Sequence, residues 1–246
     1  MGGDHHLCDG IPVLWASACS FPMVLKSLCH MADVRSSDTL GPRSWPVIRD
    51  RTDYLKRLAA GLDVLDVGCT GRKGSGRLPD CASTLHHAIR PACASLTGLD
   101  IDAEGIEVMR GAGYRAVCGD VASAILNQKF DLIIAAEVIE HLPNPGLALC
   151  NLKTHLKESG TLVLTTSNPF YYRQQSRILR HATIQVNAAH TCWYDPLTLT
   201  WMLRGAGFAV VKGAWISPPK RWNPMSCLAG WRKYWNPNFL VEAKQE

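Results

Sequence analysis

The chain has 246 residues, of which 47% are hydrophobic and 19% charged. This excludes a disordered chain and allows one sizeable α/β domain with small additions. A net charge of +5 with no long basic run is too mild to imply nucleic acid. Ten scattered cysteines without a C-x-x-C pair argue against a zinc site and for a reducing, cytoplasmic compartment.

Residues 1–43 read as a loosely ordered extension. Ile11 to Cys29 is rather apolar, but Pro12, Pro22 and Lys26 interrupt it. No basic region precedes it, so it makes a poor signal peptide, and no run elsewhere suits a membrane-spanning helix. The folded domain is expected over 44–246. Ser44 to Ala60 carries apolar residues at helical spacing, with Ser44 as N-cap and Gly61 as stop.

Residues 63–71, DVLDVGCTG, are the strongest local signal. An apolar run ends in glycines, the pattern of a buried parallel strand, a tight turn and a helix start. Ligands bind at the carboxyl ends of such strands in open α/β sheets. Gly68 and Gly71 permit close backbone approach. Asp66, two residues before the first glycine, would repel a pyrophosphate and suits a ligand with positive charge. Arg72 to Arg77 is a basic loop, read as solvated ahead of ligand-touching, and a short helix from Asp80 to Ile89 ends at Pro91.

Residues 96–102 form a second strand with an acidic tip. Asp100 can accept bonds from both hydroxyls of a ribose, or it is a second turn residue; Asp102 suits the cap of a helix beginning near Ala103. A third strand runs from Arg115 to Val121 and carries Asp120. A fourth, Phe130 to Ala136, is continuously apolar and runs into Glu137-Val138-Ile139-Glu140-His141. A helix over 147–156, a fifth strand over 161–166, a helix over 197–204, a sixth strand over 209–216 and a final strand over 238–244 complete the series. Between the last two strands, 217–237 is rich in Trp and Arg and reads as tryptophans packed on the core ahead of a lid, contact or membrane patch.

Asp66, Asp100, Asp120 and Glu137 thus stand in order at four strand ends along one sheet edge. The glycine turn with its leading acid resembles the first motif of class I S-adenosylmethionine-dependent methyltransferases. The turn is one residue shorter than usual, and Thr70 stands where glycine is expected. The segment EVIEH resembles small-molecule methyltransferases, the ubiquinone-biosynthesis O-methyltransferases among them.

That resemblance implies a Rossmann-like, mostly parallel seven-stranded sheet with an antiparallel last strand and helices on both faces. It implies S-adenosyl-L-methionine as cofactor, held by Asp66, Gly68, Cys69, Gly71, Asp100, Ile101, Asp120, Val121 and Glu137. Residues 168–195 would face the acceptor, with Asn168, Tyr171, Tyr172 and Trp193 as substrate contacts. In ubiquinone-type enzymes the acids and histidine matching Glu137, Glu140 and His141 are implicated in holding a divalent metal. Against this, Glu140 and His141 can simply start a helix and order the cofactor pocket, and no metal is assigned.

The absence of Asn-Pro-Pro-Tyr or Asp-Pro-Pro-Tyr at strand four disfavours methylation of amino groups in nucleic acid or glutamine. The expected acceptor is a hydroxyl of a small molecule, a sugar or a lipid-linked glycan. Among nine histidines, His190 and His141 are the candidate bases, with His190 favoured by its neighbours Trp193 and Tyr194; capping its helix or packing on Trp193 is its alternative role. Two rivals are a nicotinamide-dependent oxidoreductase and a catalytically silent methyltransferase-like binding module. The first needs Gly-x-Gly-x-x-Gly and an acid about 20 residues on, whereas Asp100 lies much further along. The second has the shortened glycine turn in its favour.

Overall fold

The computed structural model describes residues 41–71, 80–217 and 232–246. Residues 1–40 of the extension expected over 1–43, the basic loop 72–77 and most of the Trp/Arg-rich segment lie outside the described residues.

The described residues form one sheet of eight strands. These are β1 (Val47–Ile48), β2 (Asp63–Val67), β3 (Ser95–Asp100), β4 (Ala116–Cys118), β5 (Phe130–Ala136), β6 (Leu156–Ser167), β7 (Phe208–Ile216) and β8 (Asn238–Gln245). Their order is β1-β7-β8-β6-β5-β2-β3-β4. β8 runs antiparallel to both β6 and β7, and every other pair is parallel. The helices are α1 (Arg51–Leu58), α2 (Leu85–Ile89), α3 (Ala103–Gly111), α4 (Pro145–His155), α5 (Tyr172–His181) and α6 (Pro196–Gly205).

Strand periodicity sorts the core into layers. Leu65, Val67, Ile133 and Ala135 pack with Leu149 and Leu152 of α4 and Leu199 and Leu203 of α6. Their strand neighbours Val64, Leu132 and Ile134 pack on the other face with Leu55 of α1 and Ile89 of α2. Burying both faces is what the unbroken apolar run of β5 requires. Among the described residues no helix is long and apolar enough to cross a membrane.

The eighth strand corrects the expected helix over 44–60. Ser44 does not cap it; its hydroxyl donates to the Gly41 carbonyl in a preceding turn. Val47–Ile48 instead extends the sheet beside β7, with Trp215 N–H donating to Pro46 O (2.8 Å) and Ser217 N–H to Ile48 O (2.9 Å). Asp50 then caps α1 through Asp53 N–H (2.9 Å). The edge pairing goes with burial of Trp45, whose ring lies 5.8 Å from that of Trp215 and 6.3 Å from that of Phe239. Gly213 makes the seat: a Cβ there would stand 2.0 Å from the Trp45 ring. Elsewhere the expected and observed elements differ at their ends, as with β4, which is three residues long, except for α5, which forms in the segment after β6 where no element was expected.

Candidate active site

At the carboxyl ends of β2, β3, β4 and β5 lies a cavity of about 360 Å³. Gly68, Gly71, Asp100, Ile101, Asp120, Val121, Glu137 and His141 all line it. Gly68 has φ 77°, and a Cβ there would meet Val138 Cγ2 at 2.6 Å, so only glycine lets the turn pass beneath Val138.

The shortened turn has its own closure. Thr70, in the place of a glycine, is buried and donates to Asp100 Oδ2 through both its N–H (3.1 Å) and its hydroxyl (2.8 Å). Asp100 Oδ1 accepts from Asp102 N–H at 3.1 Å. The carboxylate is thereby fixed at the cavity wall, with Oδ2 filled by Thr70 and acceptor capacity left on Oδ1. Asp102 takes the N-cap position of α3 without a side-chain capping bond. Asp120 Oδ1 accepts from Ala122 N–H (2.9 Å), which shapes the turn after β4.

Asp66 and Cys69 are not brought to the cavity. Val67 faces it, so strand alternation turns Asp66 to the opposite face. There it is buried, with Oδ2 3.0 Å from Nδ1 of His86 on α2. Burial raises its carboxyl above the usual range, and His86 offsets part of the rise. Cys69 is buried against Ile106 and Met109 of α3, and burial pushes its thiol up, so its sulfur is not poised as a nucleophile.

Glu137 is held from three sides. It leaves β5 with a left-handed φ of 58°, which costs a non-glycine residue about 1 kcal/mol or more. Its Oε1 accepts from Arg51 Nη1 (3.2 Å), Thr165 Oγ1 (3.1 Å) and Asn238 Nδ2 (2.9 Å), and Oε2 accepts from the same Asn238 amide (3.0 Å). None of these partners was singled out from the sequence. Thr165 and Asn238 were legible as polar residues at strand ends; Arg51 carried no signal, since it reads as an exposed helix residue.

A second cavity of about 250 Å³ opens beside the end of β6 and the start of β8. Asn168, Tyr171, Trp193 and His190 line it, and Tyr172 does not. Tyr172 packs edge-on against Tyr171 (4.8 Å between rings) and accepts from Arg173 Nε (3.2 Å). Asn168 spends its amide on the wall, donating to Tyr234 O and Asn236 O (2.7 Å each) and accepting from Phe170 N–H (3.0 Å). The Tyr171 hydroxyl, pushed up to about 12 by burial and by Tyr172, stays protonated near neutral pH.

The two cavities share walls. His141 lines the first and His190 the second, with their rings edge-on at 4.7 Å. Glu137 lines the first and its partner Asn238 the second. Glu140 lies within the same wall, 1% exposed, with no hydrogen-bond partner for either carboxylate oxygen among the described residues. Burial first, and then the charge of Glu137, push its carboxyl up to about 7. Thr166 and Ser167 face it and temper the rise. The Glu140 carbonyl accepts from Thr191 N–H (2.8 Å) and Oγ1 (3.0 Å), which clamps the turn after β5 to the His190 segment.

Residues 43–212 match the methyltransferase-domain family. The chain belongs to this family. It is an S-adenosylmethionine-dependent methyltransferase domain, and the nicotinamide reading falls with that membership. The methyltransferase shares its fold with an S-adenosylmethionine-dependent methyltransferase from Mesorhizobium loti (TM-score 0.52, 17% identity, 78% of this chain and 96% of that one). It also shares it with magnesium protoporphyrin IX methyltransferase from Synechocystis PCC 6803, solved with bound S-adenosylhomocysteine (TM-score 0.54, 16% identity, 79% and 82%). In sequence it is similar to ubiquinone biosynthesis O-methyltransferases. That of Actinobacillus pleuropneumoniae is 33% identical over 135 residues, 48% of this chain and 52% of the relative. That of Glaesserella parasuis is 31% identical over 148 residues, 55% and 56% respectively. The chain spans about half the length of these relatives.

Proposed function

We propose that this methyltransferase O-methylates a small acceptor, a small molecule, sugar or lipid-linked glycan, with S-adenosylmethionine in the first cavity and the acceptor in the second. The observation that carries this reading is the shared wall, where His190 faces the acceptor side and His141 the cofactor side. The distant likeness to ubiquinone biosynthesis O-methyltransferases supports oxygen as the atom methylated.

Gly68, Gly71, Asp100, Ile101, Asp120 and Val121 hold the cofactor in this reading, with Asp100 on the ribose. Transfer is an in-line displacement: the acceptor oxygen forms a bond to the methyl carbon, the carbon–sulfur bond breaks, and S-adenosylhomocysteine leaves. The sulfonium is already activated, so alignment across the wall supplies most of the catalysis. The hydroxyl proton passes to His190, whose imidazole offers a nitrogen lone pair as general base. Trp193 and Tyr171 offer the acceptor an aromatic wall.

The divalent metal implied by likeness to ubiquinone-type enzymes does not fit Glu137, Glu140 and His141 as a set. Both oxygens of Glu137 are already engaged by Arg51, Thr165 and Asn238. No step of the transfer is routed through an ion there.

Incubation with isotopically labelled S-adenosylmethionine and a metabolite extract, followed by mass analysis, identifies the acceptor and the atom methylated. With that acceptor, His190→Ala should lower turnover about 10²–10⁴-fold and leave cofactor affinity nearly intact. A loss below about threefold removes His190 as base, and a large loss in His141→Ala transfers the role.

A further inference from the structure

We infer that Glu140, His141 and His190 form a binding site for a borderline divalent cation of the Zn²⁺ class. One ligand atom from each of the three lies within 4.8 Å of the others. Side-chain rotation closes that spacing to the roughly 3.4 Å that bonds of about 2.1 Å set in a tetrahedral shell. The set joins residues 140–141 to residue 190, so it exists only once the two segments are packed.

Three features mark it as a built site. The Glu140 carboxylate is 1% exposed, and neither oxygen has a hydrogen bond of good geometry among the described residues, the Thr166 hydroxyl and Ser167 backbone giving it only weak contacts. A buried acceptor in that condition is costly unless something supplies positive charge or a proton. His141 Nδ1 lies 3.0 Å from the Ala189 carbonyl, which can only accept. Nδ1 therefore carries the hydrogen and Nε2 the lone pair, the outer-shell arrangement that orients ligating histidines. Finally, the Thr191 bonds to the Glu140 carbonyl hold both ligand-bearing segments in register.

The donor set selects the metal. Mg²⁺ and Ca²⁺ prefer oxygen, whereas two imidazoles with one carboxylate suit Zn²⁺, Co²⁺ or Fe²⁺ and leave a position open. The site uses no cysteine, which is why cysteine spacing gave no sign of it. It also excludes Glu137, the residue that likeness to ubiquinone-type enzymes would have supplied.

The inference shares His190 with the proposed base but needs no acceptor to be tested. A nitrogen that ligates an ion cannot also take a proton. In the proposed mechanism a seated ion therefore blocks transfer, and Zn²⁺ acts as an inhibitor relieved by chelation.

The test titrates the chelator-treated protein with Co²⁺ and follows its visible d–d absorption, with calorimetry for Zn²⁺ and Mg²⁺. Expected are an intense four-coordinate Co²⁺ spectrum, displacement by Zn²⁺ and no displacement by excess Mg²⁺. Glu140→Gln and His190→Ala should each weaken Co²⁺ binding by more than about 100-fold, while Glu137→Gln leaves it unchanged. Retained S-adenosylmethionine binding reports that each variant is folded. No Co²⁺ spectrum, or loss of the ion in Glu137→Gln with retention in His190→Ala, overturns the site. Ion binding as expected with turnover rising in Zn²⁺ keeps the site and overturns the base.

Discussion

The cofactor side and the acceptor side of this methyltransferase are built by different means. On the cofactor side each contributor belongs to one strand and the turn that follows it: Gly68 and Gly71 after β2, Asp100 at the tip of β3, Asp120 after β4. Asp120 is ordered by a near neighbour, Ala122, and Asp100 by Thr70, 30 residues away on the adjoining strand turn. On the acceptor side, and in the wall it shares with the cofactor side, the contributors meet across long stretches of chain. Glu137 and Asn238 are 101 residues apart, Arg51 and Glu137 are 86, and His141 and Ala189 are 48.

The sides also treat a buried acid differently. Asp66 is buried with His86 at 3.0 Å, whereas Glu140 is buried with no charged partner and no hydrogen bond of good geometry to either oxygen among the described residues. A buried charge is tolerated when partnered. The partnered acid belongs to the scaffold; the unpartnered one stands where chemistry is proposed.

Beyond the His190 variant, the strongest break of this contrast is Asp100→Ala. It removes the proposed ribose acceptor and the partner of Thr70, and charged hydrogen bonds of this kind are each worth about 1.5–3 kcal/mol. Cofactor affinity should fall at least about tenfold by calorimetry. Unchanged affinity in a folded variant sinks the ribose assignment.

Trp193→Ala acts on the other side alone. Losing one aromatic wall of the acceptor cavity should raise the acceptor KM about three- to tenfold, as expected of an aromatic contact worth 0.5–1.5 kcal/mol. Cofactor affinity is expected to stay constant; a parallel loss there would mean that the two cavities are not separate subsites.

The smallest effect on binding belongs to Asp66→Asn. Because Asp66 does not line the cavity, cofactor affinity should change by less than about twofold. Its signature is in stability against pH. The folded-state pKa of Asp66 is raised, so above the ordinary value near 3.8 the native state holds a proton that the unfolded chain has released. That contribution is present at low pH and is lost as pH rises through the raised folded value. Thermal unfolding of the Asn variant should therefore show a flatter slope above the ordinary Asp range, and an identical slope in both proteins would refute the raised Asp66.

Much of the cofactor half was legible because strand ends and glycine turns are local events. An apolar run sets β5 at residues 130–136, and a two-residue alternation makes Val67 and Asp66 face opposite ways. What alternation could not say is which face meets the ligand, and Asp66 fell on the face that α2 covers. The helix expected over 44–60 lost its first turns for a similar reason, leaving α1 over Arg51–Leu58: Val47 and Ile48 pair with the sheet edge, and burial of Trp45 goes with that pairing.

The sequence by itself determined the strands from β2 onward, the turn after β2 and the place of Asp100 and Asp120 at strand ends, since each follows from periodicity and turn chemistry within a few residues. Tertiary structure alone decided that Arg51 and Asn238 lock Glu137, that Thr70 closes the shortened turn on Asp100, and that His141 and His190 stand ring to ring. Those contacts join residues that the strand order brings together from distant parts of the chain.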